Sequence, residues 1–223
     1  EQLYLFGVIY GVLLGMLAYN LFIFLSVRDT SYLYYILYIA CNTLYLASLN
    51  GVGVQFFWPD SPWLSNTAPP ILMAALTLFG GQFIRHFLDT RSFSVALDRC
   101  LLALIACAVG LIALTLLSGY ALALQLAPYV VLFFIVLAVT SGIMALRRKM
   151  RTARYFLIAW SAYIAGGLLY SLVSLGLVAN TFWSFYSMQI GLALEVTLLS
   201  LALADRINAM KEERTRILRE SSE

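Results

Sequence analysis

The sequence predicts an all-α, polytopic membrane protein: a seven-transmembrane helix bundle with its N-terminus outside and its C-terminus inside. The 223 residues are 62% hydrophobic and only 11% charged, whereas soluble domains are about 45–50% apolar and about 25% charged. The mean hydropathy is +0.89. The apolar runs are continuous and do not alternate with polar residues, which argues against a transmembrane β-barrel.

Seven apolar runs are each long enough to cross the hydrocarbon core, which takes about 20 residues of helix. Short hydrophilic or turn-forming stretches separate the runs, so neighbouring helices are expected to be antiparallel. In chain order the runs are Leu3–Val27, Tyr32–Leu49, Leu64–Ile84, Leu97–Leu117, Leu122–Leu146, Tyr155–Leu175 and Phe185–Ala204.

The basic residues predict the orientation of the helices. All 14 Lys and Arg residues lie in the first, third and fifth gaps between runs or after the seventh run. Those positions share one face of the membrane, which the positive-inside rule assigns to the cytoplasm. The opposite face carries Trp58, Trp63, Trp183 and Phe185, as expected of an aromatic belt at the interface.

The composition changes after Ala204, which divides the chain into a seven-helix domain, residues 1–204, and a charged segment, residues 205–223. The segment lacks Gly and Pro and continues the seventh run without a helix breaker. Apolar residues follow each other at the spacing of a two-stranded coiled coil: Leu203, Ile207, Met210 and Ile217. The pattern favours a signalling helix that pairs with a second copy, or a helix end that is merely solvated.

Three glycines in the first run, Gly7, Gly11 and Gly15, form two overlapping GxxxG steps. Glycines at this spacing allow another helix to approach closely in lipid. The partner is either another helix of the same chain, which we favour, or a second protomer. Ala159, Ala162 and Gly166 form a similar stripe of small residues in the sixth run.

Glu195 is the one ionisable residue well inside a predicted span. It precedes Asp205 by ten residues, which places it about 15 Å deep along a helix. Ionisable residues at such depth face a protein interior and mark functional paths. Two roles are open: a protonated carboxyl bonded to a neighbouring helix, or a polar switch that responds to a ligand or to protons.

The residues do not assemble into a catalytic or cofactor site. Cys41, Cys100 and Cys107 lie in or beside apolar runs, and the single His86 has no second metal ligand near it. Both lysines lie outside the predicted spans, which excludes a Schiff base to retinal. We therefore expect no catalysis within the seven helices, no cofactor, no metal and no nucleic-acid partner; the partners are membrane lipid and other protein domains.

Several short motifs resemble one bacterial family, the seven-transmembrane receptors with diverse intracellular signalling modules. The resemblance covers essentially the whole chain. It rests on the end of the first run with the following hairpin, on a Trp-Pro step in the next loop, and on motifs at the ends of the third and seventh runs: Tyr19–Asp29, Tyr32–Tyr35, Leu49–Gly51, Trp58–Pro59, Phe83–Leu88 and Leu201–Ile207.

The resemblance implies a sensor of the bacterial inner membrane. In such proteins a β-rich extracytoplasmic sensory domain precedes the helices, and an output module follows them, such as a histidine kinase, a diguanylate cyclase or a phosphatase. The chain starts at Glu1 without an initiator Met, so we expect it to be part of a longer protein. The predicted function is to relay an extracytoplasmic signal to that module, in a homodimer. The alternative is a small-solute transporter or channel.

Overall fold

Seven long helices account for most of the chain. The computed structural model describes the backbone of residues 2–220, and all side chains within that range except those of residues 2, 3, 5, 151, 174 and 209–220. We number the long helices in chain order: α1 Gln2–Val27, α2 Thr30–Leu49, α3 Pro62–Phe87, α4 Val95–Ser118, α5 Tyr120–Arg147, α6 Arg151–Ser174 and α7 Ser187–Glu220.

All seven helices are long and apolar enough to cross a membrane, and residues 2–220 contain no β-strand. The predicted all-α class and the seven predicted spans are therefore confirmed. The seventh span continues past Ala204 as a single helix, α7, to Glu220, as the absence of a helix breaker led us to expect.

The helix starts follow from the residues before them. Ser61 and Ser94 accept hydrogen bonds from the backbone N–H groups of Leu64 and Leu97, at 3.4 and 3.3 Å. Such caps satisfy N–H groups that the first turn of a helix leaves without a partner. Short helical turns fill three of the connections: a π-helix at Gly53–Phe57 and α-helical turns at Thr90–Phe93 and Phe182–Phe185.

Helices α1 to α5 form one compact unit, residues 1–148. Within it α3 packs against α2, α4 and α5, and α1 packs against α2. Two adjacent glycines of α3 allow this close packing. A Cβ at Gly80 would meet the ring of Phe134 on α5, and one at Gly81 would lie 3.1 Å from Ile105 on α4.

Helices α6 and α7 form a second compact unit, residues 149–223. They also approach closely at glycines. A Cβ at Gly166 would collide with the backbone oxygen of Ser187, and one at Gly191 would lie 2.8 Å from the backbone oxygen of Ala162. The Ser187 hydroxyl also donates a hydrogen bond to the Gly166 carbonyl, at 2.9 Å. The stripe of small residues in α6 is thus confirmed as a packing face.

Alanine at Gly166 should lower the melting temperature of the protein in detergent micelles, because the added methyl group meets backbone atoms that cannot rotate away. Overpacking of this kind costs about 1–3 kcal/mol. Gly167→Ala is the matched control, since a Cβ at Gly167 has no neighbour within 4 Å. For Gly167→Ala, helix propensity alone predicts a gain in the free energy of unfolding of up to about 1 kcal/mol. Equal melting temperatures for the two variants would contradict the packing at Gly166.

Candidate functional site

One face of α7 is buried, and Glu195 lies on it. Leu192, Val196, Leu199 and Leu203 share that face, each at most 2% exposed, and Glu195 is 0% exposed. Leu194 and Leu201, on the opposite face, are 51% and 59% exposed. Among the α7 side chains that the structure describes, Glu195 is the ionisable residue that is fully buried.

The hydroxyl groups near Glu195 are bonded within α7 itself. Thr197 Oγ1 donates to the Ala193 carbonyl at 2.8 Å, and Ser200 Oγ donates to the Val196 carbonyl at 2.7 Å. Burial of a hydroxyl without a hydrogen bond is unfavourable. The bonds of Thr197 and Ser200 to their own helix avoid that cost.

The predicted signalling helix is partly described. Leu203 and Ile207 are 1% and 6% exposed, so at these two positions the apolar stripe is already covered within the chain. The side chains of Met210 and Ile217 lie outside the described residues. The backbone of α7 passes through all four positions as one helix.

The glycine stripe of α1 lies on the side of the helix that faces away from the packed side. Ile9 and Leu13 are 3% and 0% exposed, and each lies two residues, or about 200° of rotation, from a glycine of the stripe. A Cβ at Gly7, Gly11 or Gly15 would have no neighbour within 4 Å. Among the described residues, no neighbouring helix therefore packs on the stripe, and the partner that we favoured from the sequence, another helix of the same chain, stays a prediction.

A polar cluster at the junction of α3 and α4 was missed at the sequence level. Arg85 Nε and Asp98 Oδ1 lie 2.7 Å apart, and Arg85 also donates to Asp98 Oδ2 at 3.0 Å. This two-pronged geometry is the strongest arrangement for an Arg–carboxylate pair. The side chains are 19% and 9% exposed. Thr90 Oγ1 donates a further bond to Asp98 at 2.9 Å.

The cluster fixes the connection between two helices. Arg85 lies in the last turn of α3 and Asp98 in the first turn of α4, and Thr90 belongs to the short helical turn between them. His86 is exposed beside the cluster, where its ring lies 5.0 Å from that of Tyr34. In the sequence, Arg85 directly follows the third run and Asp98 lies 13 residues later in the fourth, so no local spacing rule pairs them.

The described residues contain no group of three or more His, Cys, Asp or Glu side chains that could hold a metal ion. Several buried polar groups bond within their own helix, whereas others, such as those of the Arg85–Asp98 pair, connect two helices. Such groups respond to a change in helix packing, because any displacement alters their hydrogen bonds in a medium of low dielectric constant.

The comparisons with known proteins give one match. The family model described as 7TM diverse intracellular signalling matches residues 2–206, a range that takes in α1 to α6 and the part of α7 up to Arg206. No curated protein and no solved structure matches the chain.

Alanine at Asp98 should destabilise the first unit by about 3 kcal/mol, because it leaves a largely buried guanidinium group without its carboxylate. A double-mutant cycle with Arg85→Ala should give a coupling energy of about 1–3 kcal/mol in a denaturant titration in micelles. Arg99→Ala, at an exposed position of the same helix, serves as control and should change stability by at most about 0.5 kcal/mol. Strictly additive effects of Asp98→Ala and Arg85→Ala would refute the pairing.

Proposed function

Since the chain belongs to the 7TM diverse intracellular signalling family and is a transmembrane signalling receptor domain, we propose that it relays an extracytoplasmic signal to an output module on the cytoplasmic side. The seven spans make it a multi-pass membrane protein. We place it in a bacterial inner membrane, with α1 starting outside and α7 ending inside. The distribution of all 14 basic residues supports that orientation.

The observation that carries the proposal is the length of α7. Its 34 residues span about 51 Å, against about 30 Å for the hydrocarbon core. About 20 Å of continuous helix thus extends beyond the membrane. A helix that is packed within the membrane and continues into water without a break transmits its displacement to whatever follows it.

The output module that we propose is a histidine kinase or a diguanylate cyclase attached beyond α7. In this mechanism, a ligand outside changes the packing of the helices, and α7 carries the change inward. A ligand shifts the equilibrium between two packing states of the helices only by the difference in its affinity for them. The helix part of the relay contributes no catalysis of its own.

We also propose that the domain works as a homodimer. The exposed glycine stripe of α1, with no neighbour within 4 Å of a Cβ at any of its three glycines, is a face on which a second α1 helix fits. Close approach of two helices at glycines is a common mode of dimerisation in lipid. Any pairing of the α7 helices through the apolar stripe would begin beyond Ile207, since Ile207 is itself buried.

Inserting residues after Met210 tests the relay. In a fusion of this domain to a reporter kinase, each inserted residue rotates the following helix by about 100°, and seven residues restore the phase to within about 20°. We expect kinase output to change with one to three residues and to return with seven. Output that is the same for every insertion would exclude transmission through a rigid helix.

Substitution of Glu195 by Gln tests the proposed polar switch. The change keeps the shape of the side chain but removes its ability to ionise, so the fold should persist. We expect the reporter's response to pH or to the stimulus to flatten, and Glu195→Asp, which retains a carboxyl group, to restore part of it. A response identical to that of the unmodified protein would leave Glu195 with a structural role only.

Leucine at Gly11 tests the dimer. The larger side chain should block close approach of two α1 helices and reduce the dimer fraction, measured by single-molecule photobleaching in vesicles. Gly110→Leu is the matched control, because Gly110 is also exposed on a long helix and a Cβ there has no neighbour within 4 Å. A dimer fraction that falls equally in both variants, or in neither, would argue against the α1 interface.

A further inference from the structure

An apolar cleft of about 410 Å³ lies between α1, α2 and the loop that follows α2. Ligand sites in proteins range from about 300 to 1,000 Å³, so the cleft is large enough to hold part of a small molecule. Leu14 and Leu17 of α1 line one wall, Ala40 and Ala47 of α2 line the other, and Phe57 of the loop lies at one end. The small alanine side chains leave the space that forms the cleft.

The cleft runs along the helices. Its lining extends from Tyr10 to Leu17 on α1 and from Ala40 to Ala47 on α2, a distance of about 10 Å along each axis. Helices that cross a membrane stand on average about 20° from its normal. The long axis of the cleft therefore lies close to the direction in which lipid acyl chains run.

The cleft is continuous with the lipid-facing surface. Leu14, Leu44 and Phe57 line it and are 55%, 38% and 62% exposed. Leu14 and Leu44 belong to helices that cross the membrane, so the medium outside the cleft is hydrocarbon. Among the described residues of the seven spans, α1 also has the smallest buried share, which leaves the wall that it forms accessible from the bilayer.

The surface of the cleft is almost wholly apolar, which suits a hydrocarbon chain. Thr43 Oγ1 already donates to the Ile39 carbonyl at 2.8 Å. The Tyr10 hydroxyl accepts a hydrogen bond from Asn50 Nδ2 at 3.1 Å.

We propose that this cleft, whose surface is almost wholly apolar, holds one acyl chain of a membrane phospholipid. Lipid tails are as apolar as leucine, so burial from water does not distinguish a bound chain from a bulk one. Packing of the bound chain against the two alanines does. A chain held there connects α1 to α2 and touches Phe57 of the loop.

Photolabelling tests the site. The purified protein is placed in vesicles of phosphatidylethanolamine and phosphatidylglycerol that contain a phospholipid with a diazirine in one acyl chain, and labelled peptides are identified by mass spectrometry. Labelling of the cleft should saturate at a low fraction of the probe lipid. Leu14→Trp should reduce it several-fold by filling the cleft from its exposed side.

Leu25→Trp is the matched control, because Leu25 lies on the same helix, is 61% exposed and does not line the cleft; it should leave the labelling unchanged. Ala40→Leu fills the cleft from α2 and should act like Leu14→Trp. Labelling that rises linearly with the probe would indicate bulk lipid only. Saturation by a diazirine fatty acid but not by the phospholipid, cross-links to a second copy, or labelling unaffected by both filling variants would each overturn the proposal.

Discussion

The hydrocarbon core of a membrane offers no water to polar groups, and this constraint governs how the polar side chains of the seven helices are placed. Hydroxyl groups meet it by bonding to the carbonyl four residues earlier in the same helix. In Thr77, Thr115, Thr140 and Ser141 these bonds measure 2.7–2.9 Å. Helices thereby carry hydroxyl groups through lipid without a partner helix.

A few other polar side chains connect separate elements of the chain. Arg85 reaches Asp98, Asn50 reaches Tyr10 and Ser187 reaches Gly166. Each of these contacts lies near an end of a span, where the polar groups of helix ends and turns come within reach of one another. The interiors of the helices are joined chiefly by apolar packing, and the ends by polar bonds.

The sequence was sufficient for the class, the seven spans and the continuous seventh helix, because those depend on local hydropathy and on the absence of Gly and Pro after Ala204. It was insufficient for pairings across helices. Nothing near Asp98 in the sequence indicates that Arg85 lies beside it, and Gly80 and Gly81 lack the GxxxG spacing that drew attention to α1. Conversely, small residues at this spacing allow a neighbouring helix to approach but do not show that one does. Gly166 is in close contact with Ser187, whereas a Cβ at Gly11 would have no neighbour within 4 Å.

The contact between Gly166 and Ser187 lies at the first residue of α7. It therefore holds one end of this long helix against α6. With one end held against α6, a tilt of about 10° would move the other end of a helix of about 51 Å by about 9 Å. In the proposed relay, this contact would act as the pivot of α7, and the length of the helix would set how far its far end moves.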